Sequence, residues 1–148
     1  LVSQASSAVG IDLGLKDLLT LSDGTKFSRE NLTKKFEDRL AMAQRAGKKR
    51  LAKSIHAKIA NIRKDWAHKT TTKIAETYQI LCVGNVSSKK LAKTKLAKSI
   101  HDAGWHQIKS LLKYKAKRLG GDFRETNESY STVTCSCCGK RTGPQGLR

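Results

Sequence analysis

A continuous apolar run, Ile80-Leu81-Cys82-Val83, ends at Gly84-Asn85 and stands between two long stretches dense in lysine. It is too short for a stable helix, and unbroken apolarity suits a strand buried within a sheet. Such a strand needs neighbours. Two runs near the start, Ala8 to Leu13 and Leu18 to Leu21, supply them, and Asp23-Gly24 before Thr25-Lys26-Phe27 is a strong hairpin signal. The chain is therefore expected to open as an antiparallel meander that a later strand joins.

The intervening residues follow a helical period. Beyond Ser28, Leu32, Phe36, Leu40 and Ala43 recur at helix spacing until Gly47 interrupts them in Gly47-Lys48-Lys49-Arg50. A second stripe, Leu51, Ile55, Ile59, Ile62, Trp66 and Ile74, follows, with Lys53, Lys58, Arg63, Lys64, Lys69 and Lys73 largely off it. Together they predict a basic helical hairpin. After Gly84, Ser87 or Ser88 can cap a helix over 89–100, whose Lys89, Lys90, Lys93, Lys95 and Lys98 surround Ala92, Leu96 and Ile100. Gly104 separates it from a helix with Trp105, Ile108, Leu112 and Leu119 on one face, ended by Gly120-Gly121. Asp122 to Thr126 reads as a strand. This order implies a mixed α/β sheet, and a ribonuclease-H-like layer fits it. Trp66 and Trp105 fall on apolar stripes and are expected in the core rather than as platforms for stacked bases.

Thirty Lys and Arg against twelve Asp and Glu leave a net charge of +18. Such a field attracts polyanions, and nucleic acid is the leading partner. A membrane surface is the rival, but no run of about 18 apolar residues exists, and a membrane-surface helix would pair its charge with a broad apolar face. Residues 1–9 lack the basic start and apolar stretch of a secretory signal. Cys82 stands alone in its apolar run, where a small buried core residue is the expectation. Cys135, Cys137 and Cys138 cluster, which suits metal binding in a reducing compartment better than a disulfide framework.

Two features point to chemistry. In Val9-Gly10-Ile11-Asp12-Leu13-Gly14 one carboxylate interrupts an apolar strand, which is costly if buried unless the group is paired or holds a cation. A strand-end aspartate at a turn is the plain alternative. Cys135 and Cys138 form a C-x2-C pair followed by Gly139; a structural zinc site wants four ligands, no second such pair follows before Arg148, and His56, His68, His101 and His106 all lie upstream on predicted helices.

Gly10-Ile11-Asp12-Leu13-Gly14 with Ser22-Asp23-Gly24 resembles the first RuvC motif of the TnpB/OrfB proteins, relatives of type V CRISPR effector nucleases. Val83-Gly84-Asn85-Val86-Ser87-Ser88-Lys89-Lys90-Leu91, Ala92-Lys93-Thr94, Lys98-Ser99, Asp102-Ala103-Gly104-Trp105 and Asn127-Glu128-Ser129-Tyr130 through Cys135-Ser136-Cys137-Cys138-Gly139 look like one branch of that family, over nearly the whole chain. The resemblance implies the RuvC-like, DNA-binding core of an RNA-guided DNA endonuclease encoded by an insertion sequence, of a kind also called transposase. It implies three acids holding two divalent ions, Mg²⁺ or Mn²⁺, for phosphodiester hydrolysis.

Asp12 matches the first acid. Gly84 stands where most of the family has a glutamate, with Asn85 beside it; Glu128 is the expected substitute, Glu125 the second choice, and Asp102 a helix-turn residue. The resemblance implies a third acid beyond the zinc ribbon, in a segment these residues do not reach, so little cleavage is expected of these 148 residues alone. Cys135 and Cys138 match half of the structural Zn²⁺ ribbon, with Cys137 an extra thiol between them. The expected organisation is a core over 1–130, carrying the helical insertion at about 28–79, and an incomplete zinc-ribbon segment over 131–148.

Lys48, Lys49, Arg50, Lys53, Arg63, Lys64 and Lys69 are candidate backbone contacts for a duplex of guide RNA and DNA, and Lys89, Lys90, Lys93, Lys95 and Lys98 form a second candidate patch. A cytoplasmic, nucleoid-associated protein is expected. The alternative is a decayed nucleic-acid-binding module without a working metal centre, which Gly84 favours. A ribosomal type of RNA-binding protein explains the charge but neither Asp12 nor the cysteines.

Overall fold

The protein is described from a computed structural model covering residues 7–84, 99, 101, 103–126, 137 and 140. The chain opens with β1 (Ala8–Asp12), β2 (Leu19–Leu21) and β3 (Lys26–Phe27), paired as an antiparallel meander with Ile11 opposite Leu21 and Thr20 opposite Lys26. The Asp23-Gly24 signal becomes a three-residue hairpin loop. Gly24 N–H donates to Leu21 O at 3.0 Å, Thr25 N–H to the Asp23 carboxylate at 2.8 Å, and Gly24 takes φ of 89°, the left-handed residue such loops require.

Next come α1 (Leu32–Lys35), α2 (Glu37–Arg45) and α3 (Lys49–Thr77). Asn31 caps the first, its side-chain oxygen accepting from Lys34 N–H at 3.0 Å. The expected hairpin is present, with its first arm broken at Phe36 and its turn at Gly47, where φ is 64°.

The single apolar stripe expected along α3 is corrected. Ile55 and Ile59 pack with Leu32 and Ala43 in a small cluster of their own, whereas Ala67 and Ile74 join the main core under the sheet. Leu51 and Ile62 face solvent, at 40% and 36% exposure. At 3.6 residues per turn the two buried faces are roughly 100° apart round the helix, so the periodicity of one end does not extend to the other. The second face includes Thr70 and Thr71, buried and invisible to a hydrophobic pattern. Thr71 Oγ1 donates to Ala67 O at 2.7 Å, which satisfies its hydroxyl within the helix.

β4 (Ile80–Gly84) is the apolar run, and it lies parallel to β1, with Val9 opposite Leu81 and Ile11 opposite Val83. α4 (Trp105–Arg118) then buries Trp105, Ile108, Leu112 and Ala116 and leads to β5 (Asp122–Thr126), parallel to β4. Leu119, expected on the same face, lies past the end of α4 at 55% exposure. The helix stops in a Schellman turn: Gly121 N–H donates to Ala116 O at 2.8 Å and Gly120 N–H to Lys117 O at 3.3 Å, with Gly120 at φ 75°. A Cβ on Gly121 would collide with Gln79 O, the atom to which Asp122 N–H donates at 2.8 Å. The glycine pair thus brings β5 in beside β4.

The result is a five-stranded mixed sheet in the order β3-β2-β1-β4-β5, with α3 and α4 packed on the face that bears Val9, Ile11, Leu81 and Val83. This is the ribonuclease-H-like arrangement expected from the order of elements. Between α3 and α4, the Lys115 ammonium donates to His68 O at 2.6 Å, Thr71 Oγ1 at 2.9 Å and Thr72 Oγ1 at 2.5 Å. Partial burial holds its pKa below the usual lysine value.

Candidate functional site

Three parallel strands end along one edge of the sheet, and their last residues meet there. Because Ile11 pairs with Val83, Asp12 at the end of β1 comes beside Gly84 at the end of β4, and Gly84 pairs with Thr126 at the end of β5. On the other side Asp12 pairs with Thr20 of β2. Asp12, Thr20, Cys82, Gly84 and Thr126, with Gly10 and Ser22, line an open hollow of about 420 Å³. Ser22 closes one side: its Oγ accepts from Gly10 N–H at 3.1 Å, and its own N–H donates to Gly10 O at 2.9 Å.

The side chains reach this face through the period-two alternation of strands. Ile11 and Val83 turn inward to the helices, and Asp12 and Cys82 turn to the hollow. Cys82 is accordingly half-buried on the hollow's wall rather than in the core, which corrects the expectation that it is a small core residue. Asp12 is exposed. The burial penalty that makes an aspartate conspicuous in an apolar strand therefore does not operate, and what marks the residue is its company at the edge. Its carboxylate makes no hydrogen bond or ion pair to another described residue.

Gly84 occupies the position beside Asp12 and offers no side chain. Glu125, the second choice for the missing acid, pairs in register with Val83, and its carboxylate lies 3.7 Å from the Lys109 ammonium of α4. That is the helix side of the sheet, so Glu125 does not line the hollow. Glu128 lies outside the described residues, two positions past Thr126. Cys135 and Cys138 lie outside them too, as do Lys89, Lys90, Lys93, Lys95 and Lys98; Cys137 is an exposed thiol. Among the described residues no group of three or more His, Cys, Asp or Glu could hold a metal ion.

Lys48, Lys49, Arg50, Lys53, Lys64 and Lys69 are exposed along α3 and its start. Lys69 is already paired with Asp65 at 2.9 Å, and Arg63 is half-buried. Trp66 is half-buried against the core, with the Arg29 guanidinium 5.7 Å above its ring. Trp105 is 5% exposed and its Nε1–H donates to Gly14 O at 3.1 Å. Both tryptophans are thus packing residues, as expected. Sequence reasoning missed that bond, and it missed the partner of Asp23, the phenol of Tyr78. Each joins residues far apart in sequence that no local pattern connects.

A family model described as "Probable transposase", OrfB_IS605, matches residues 2–95. The chain belongs to the OrfB family. A second model, described as "Cas12f1-like, TNB domain", matches residues 105–148. The two matches divide the sequence but not the sheet, since β5 in the second pairs with β4 in the first. Among OrfB-related proteins, the chain is 30% identical over 166 residues to "Putative RNA-guided DNA endonuclease InsQ" of Escherichia coli (strain K12), covering 93% of this chain and 41% of that protein. It is 32% identical over 152 residues to "Putative RNA-guided DNA endonuclease" of Streptomyces pristinaespiralis, covering 93% and 38%. The chain thus spans about two fifths of the length of these curated relatives. Its fold is similar to a chain in the cryo-EM structure of a Cas12f1-sgRNA-target DNA complex, with a TM-score of 0.64 at 19% identity, over 95% of this chain and 41% of that one.

Proposed function

We propose that this chain is the RuvC-like, DNA-binding core of an insertion-sequence-encoded, RNA-guided DNA endonuclease, and that Asp12 supplies its first metal-binding carboxylate. The observation that carries this reading is the meeting of Asp12, Gly84 and Thr126 at the carboxyl ends of three parallel strands. Ligands of open α/β sheets bind outside such ends. Relatives bearing the name RNA-guided DNA endonuclease support the reaction class.

The donors that line the hollow are one carboxylate and the hydroxyls of Thr20, Ser22 and Thr126, with the Cys82 thiol beside them. Oxygen donors suit Mg²⁺ or Mn²⁺ better than a thiophilic metal, but one carboxylate falls short of a two-ion site. Glu128 is proposed as the second acid. Strand side chains alternate with period two, so a residue two places beyond Thr126 keeps to the Asp12 face for as long as the chain stays extended. When bound, divalent ions supply an activated water and charge stabilisation at the leaving oxygen of a phosphodiester. The part of Asp12 is to anchor them; that of Ser22 is to brace the adjoining backbone.

The exposed cations of α3, with the lysines of 89–98, are proposed to contact the phosphates of a guide RNA and target DNA duplex, reading backbone shape rather than bases. Cys135 and Cys138 are proposed as half of a structural Zn²⁺ site, the core as spanning 1–130, and the working location as the nucleoid of the cytoplasm. No described helix is long and apolar enough to cross a membrane.

The test is cleavage of guide-matched DNA, with Mg²⁺, by a protein that carries this chain at the full length of its relatives. Asp12→Ala and Glu128→Ala are each expected to abolish cutting while leaving binding intact. Activity retained in Glu128→Ala rejects the substitute glutamate and leaves the rest standing. The second reading, a binding module without chemistry, is favoured by the bare Gly84; binding that weakens with salt, and no cutting at any Mg²⁺ concentration, would establish it.

A further inference from the structure

Two residues after Asp12, the chain leaving β1 is tied to a helix. The Trp105 indole Nε1–H donates to Gly14 O at 3.1 Å, across 91 residues of sequence. The ring is 5% exposed and packs in the main core, so the bond satisfies the indole's one donor away from water. Gly14 is held twice more. Its N–H donates to Leu18 O at 3.4 Å, and a Cβ there would stand 2.5 Å from Asp17 O, closer than any side chain allows. Trp105 is itself the first residue of α4, directly after Gly104 at φ 67°, so a helix start rather than a loop sets the place of the indole.

Asp12 needs such a restraint. It is the last residue of β1, and the chain from Leu13 to Leu18 departs from the sheet before returning as β2. The ladder pairs Asp12 with Thr20, and the next tie back to β2 is the long Gly14 N–H to Leu18 O bond at 3.4 Å. A phenylalanine at position 105 would leave part of the indole's volume empty and would bring no N–H to the Gly14 carbonyl, so only an isostere of the indole separates packing from the bond.

We infer that Trp105 is a positioning residue for Asp12: its bond to Gly14 fixes the backbone leaving β1 and so keeps the carboxylate aligned with Gly84 and Thr126. This rests on the proposed function, in which Asp12 binds a divalent cation. Ligand and catalytic groups are sensitive to such placement, since displacement by about 1 Å can cost on the order of 100-fold in rate.

The experiment uses the whole 148-residue chain, with Mg²⁺ alone as probe. Trp105 is changed to phenylalanine (Trp105→Phe) in one variant and replaced in another by benzothienylalanine, an isostere with sulfur in place of the N–H. Amide hydrogen exchange is followed at Gly14 and, for global stability, at Leu81; Mg²⁺ binding is followed through the amide shifts of Asp12 and Gly84. In the isostere, Gly14 is expected to exchange about 10-fold faster with Leu81 unchanged, and Mg²⁺ to bind about 10-fold more weakly. Wild-type Gly14 exchange or wild-type Mg²⁺ affinity in the isostere overturns the inference. So does acceleration of Leu81 in step with Gly14, because the N–H then serves stability alone. Should Trp105→Phe not fold, the isostere decides. Wild-type protein whose Asp12 and Gly84 amides ignore Mg²⁺ overturns the proposed metal role instead, and the tether is then judged on Gly14 exchange.

Discussion

The phenol of Tyr78 donates to the Asp23 carboxylate, joining the end of α3 to the tip of the β2–β3 hairpin across 55 residues of sequence. The same carboxylate accepts from Thr25 N–H, and these bonds, that from Tyr78 foremost, hold the Asp23 carboxyl below its usual range. The hairpin tip carries Ser22, so the contact braces one wall of the Asp12 hollow from outside.

A pH dependence follows. A carboxyl with a lowered pKa in the folded state contributes stability above its unfolded value, about 3.9, and that contribution is lost as pH falls through the folded value. Urea midpoints measured from pH 6 down to pH 2 are expected to fall less steeply for Asp23→Asn and Tyr78→Phe than for wild type. Equal slopes in all three would show that the bond makes no difference in solution.

Lys115 gives the opposite sign. Burial lowers its pKa in the folded protein, so the unfolded chain binds more protons, and stability rises with pH between the folded value and the unfolded one near 10.4. Lys115→Met removes that rise in stability scans from pH 8 to 11. Lys115→Ala, which takes one donor from His68 O and from each of the two threonine hydroxyls and leaves a gap between α3 and α4, is expected to cost about 1–3 kcal/mol in urea unfolding at pH 7.

Gly121→Ala meets the Gln79 carbonyl oxygen, a backbone atom that has no rotamer by which to yield. The expected loss is about 2 kcal/mol or more, with the β5 amides losing exchange protection before those of β1. A neutral effect would mean that β5 is not seated by this turn.

For nucleic-acid binding, removing one cation that pairs with a phosphate flattens the plot of log affinity against log salt by about one unit. Lys49→Ala and Lys53→Ala are each expected to do so in filter binding. Lys69→Ala is expected to do less, because its ammonium is already shared with Asp65.

Much of this architecture was legible in the sequence, and the reason differs by element. Ile80 to Val83, Asp122 to Thr126 and the Asp23-Gly24 turn were readable because strand runs and turn glycines are local signals. Asp12 was singled out first as a carboxylate in an apolar strand and then by motif resemblance; of the two physical readings, a costly buried charge or a strand-end aspartate, it is the strand-end position that is observed. The two faces of α3 were not legible, because Ala67, Thr70, Thr71 and Ala75 bury by being small enough for close approach and carry little hydrophobic signal. Nor were the Trp105–Gly14 and Tyr78–Asp23 bonds, since nothing in the spacing of a sequence records which distant donor meets which carbonyl or carboxylate.

The two buried faces of α3 also determine how the protein comes apart. One end of the helix is bound to α1 and α2 through Ile55 and Ile59, the other to the sheet through Ala67 and Ile74, and no cluster runs the whole length. Thermal opening therefore has a natural seam near Ile62, and the hairpin is expected to melt locally while the strands stay paired. Amide exchange at Ile55 and Ile59 would then report a smaller opening free energy than at Ile74 or Leu81. A part that loosens on its own is also a part whose length can change without moving Asp12, which makes the hairpin the replaceable tool and the sheet its fixed handle.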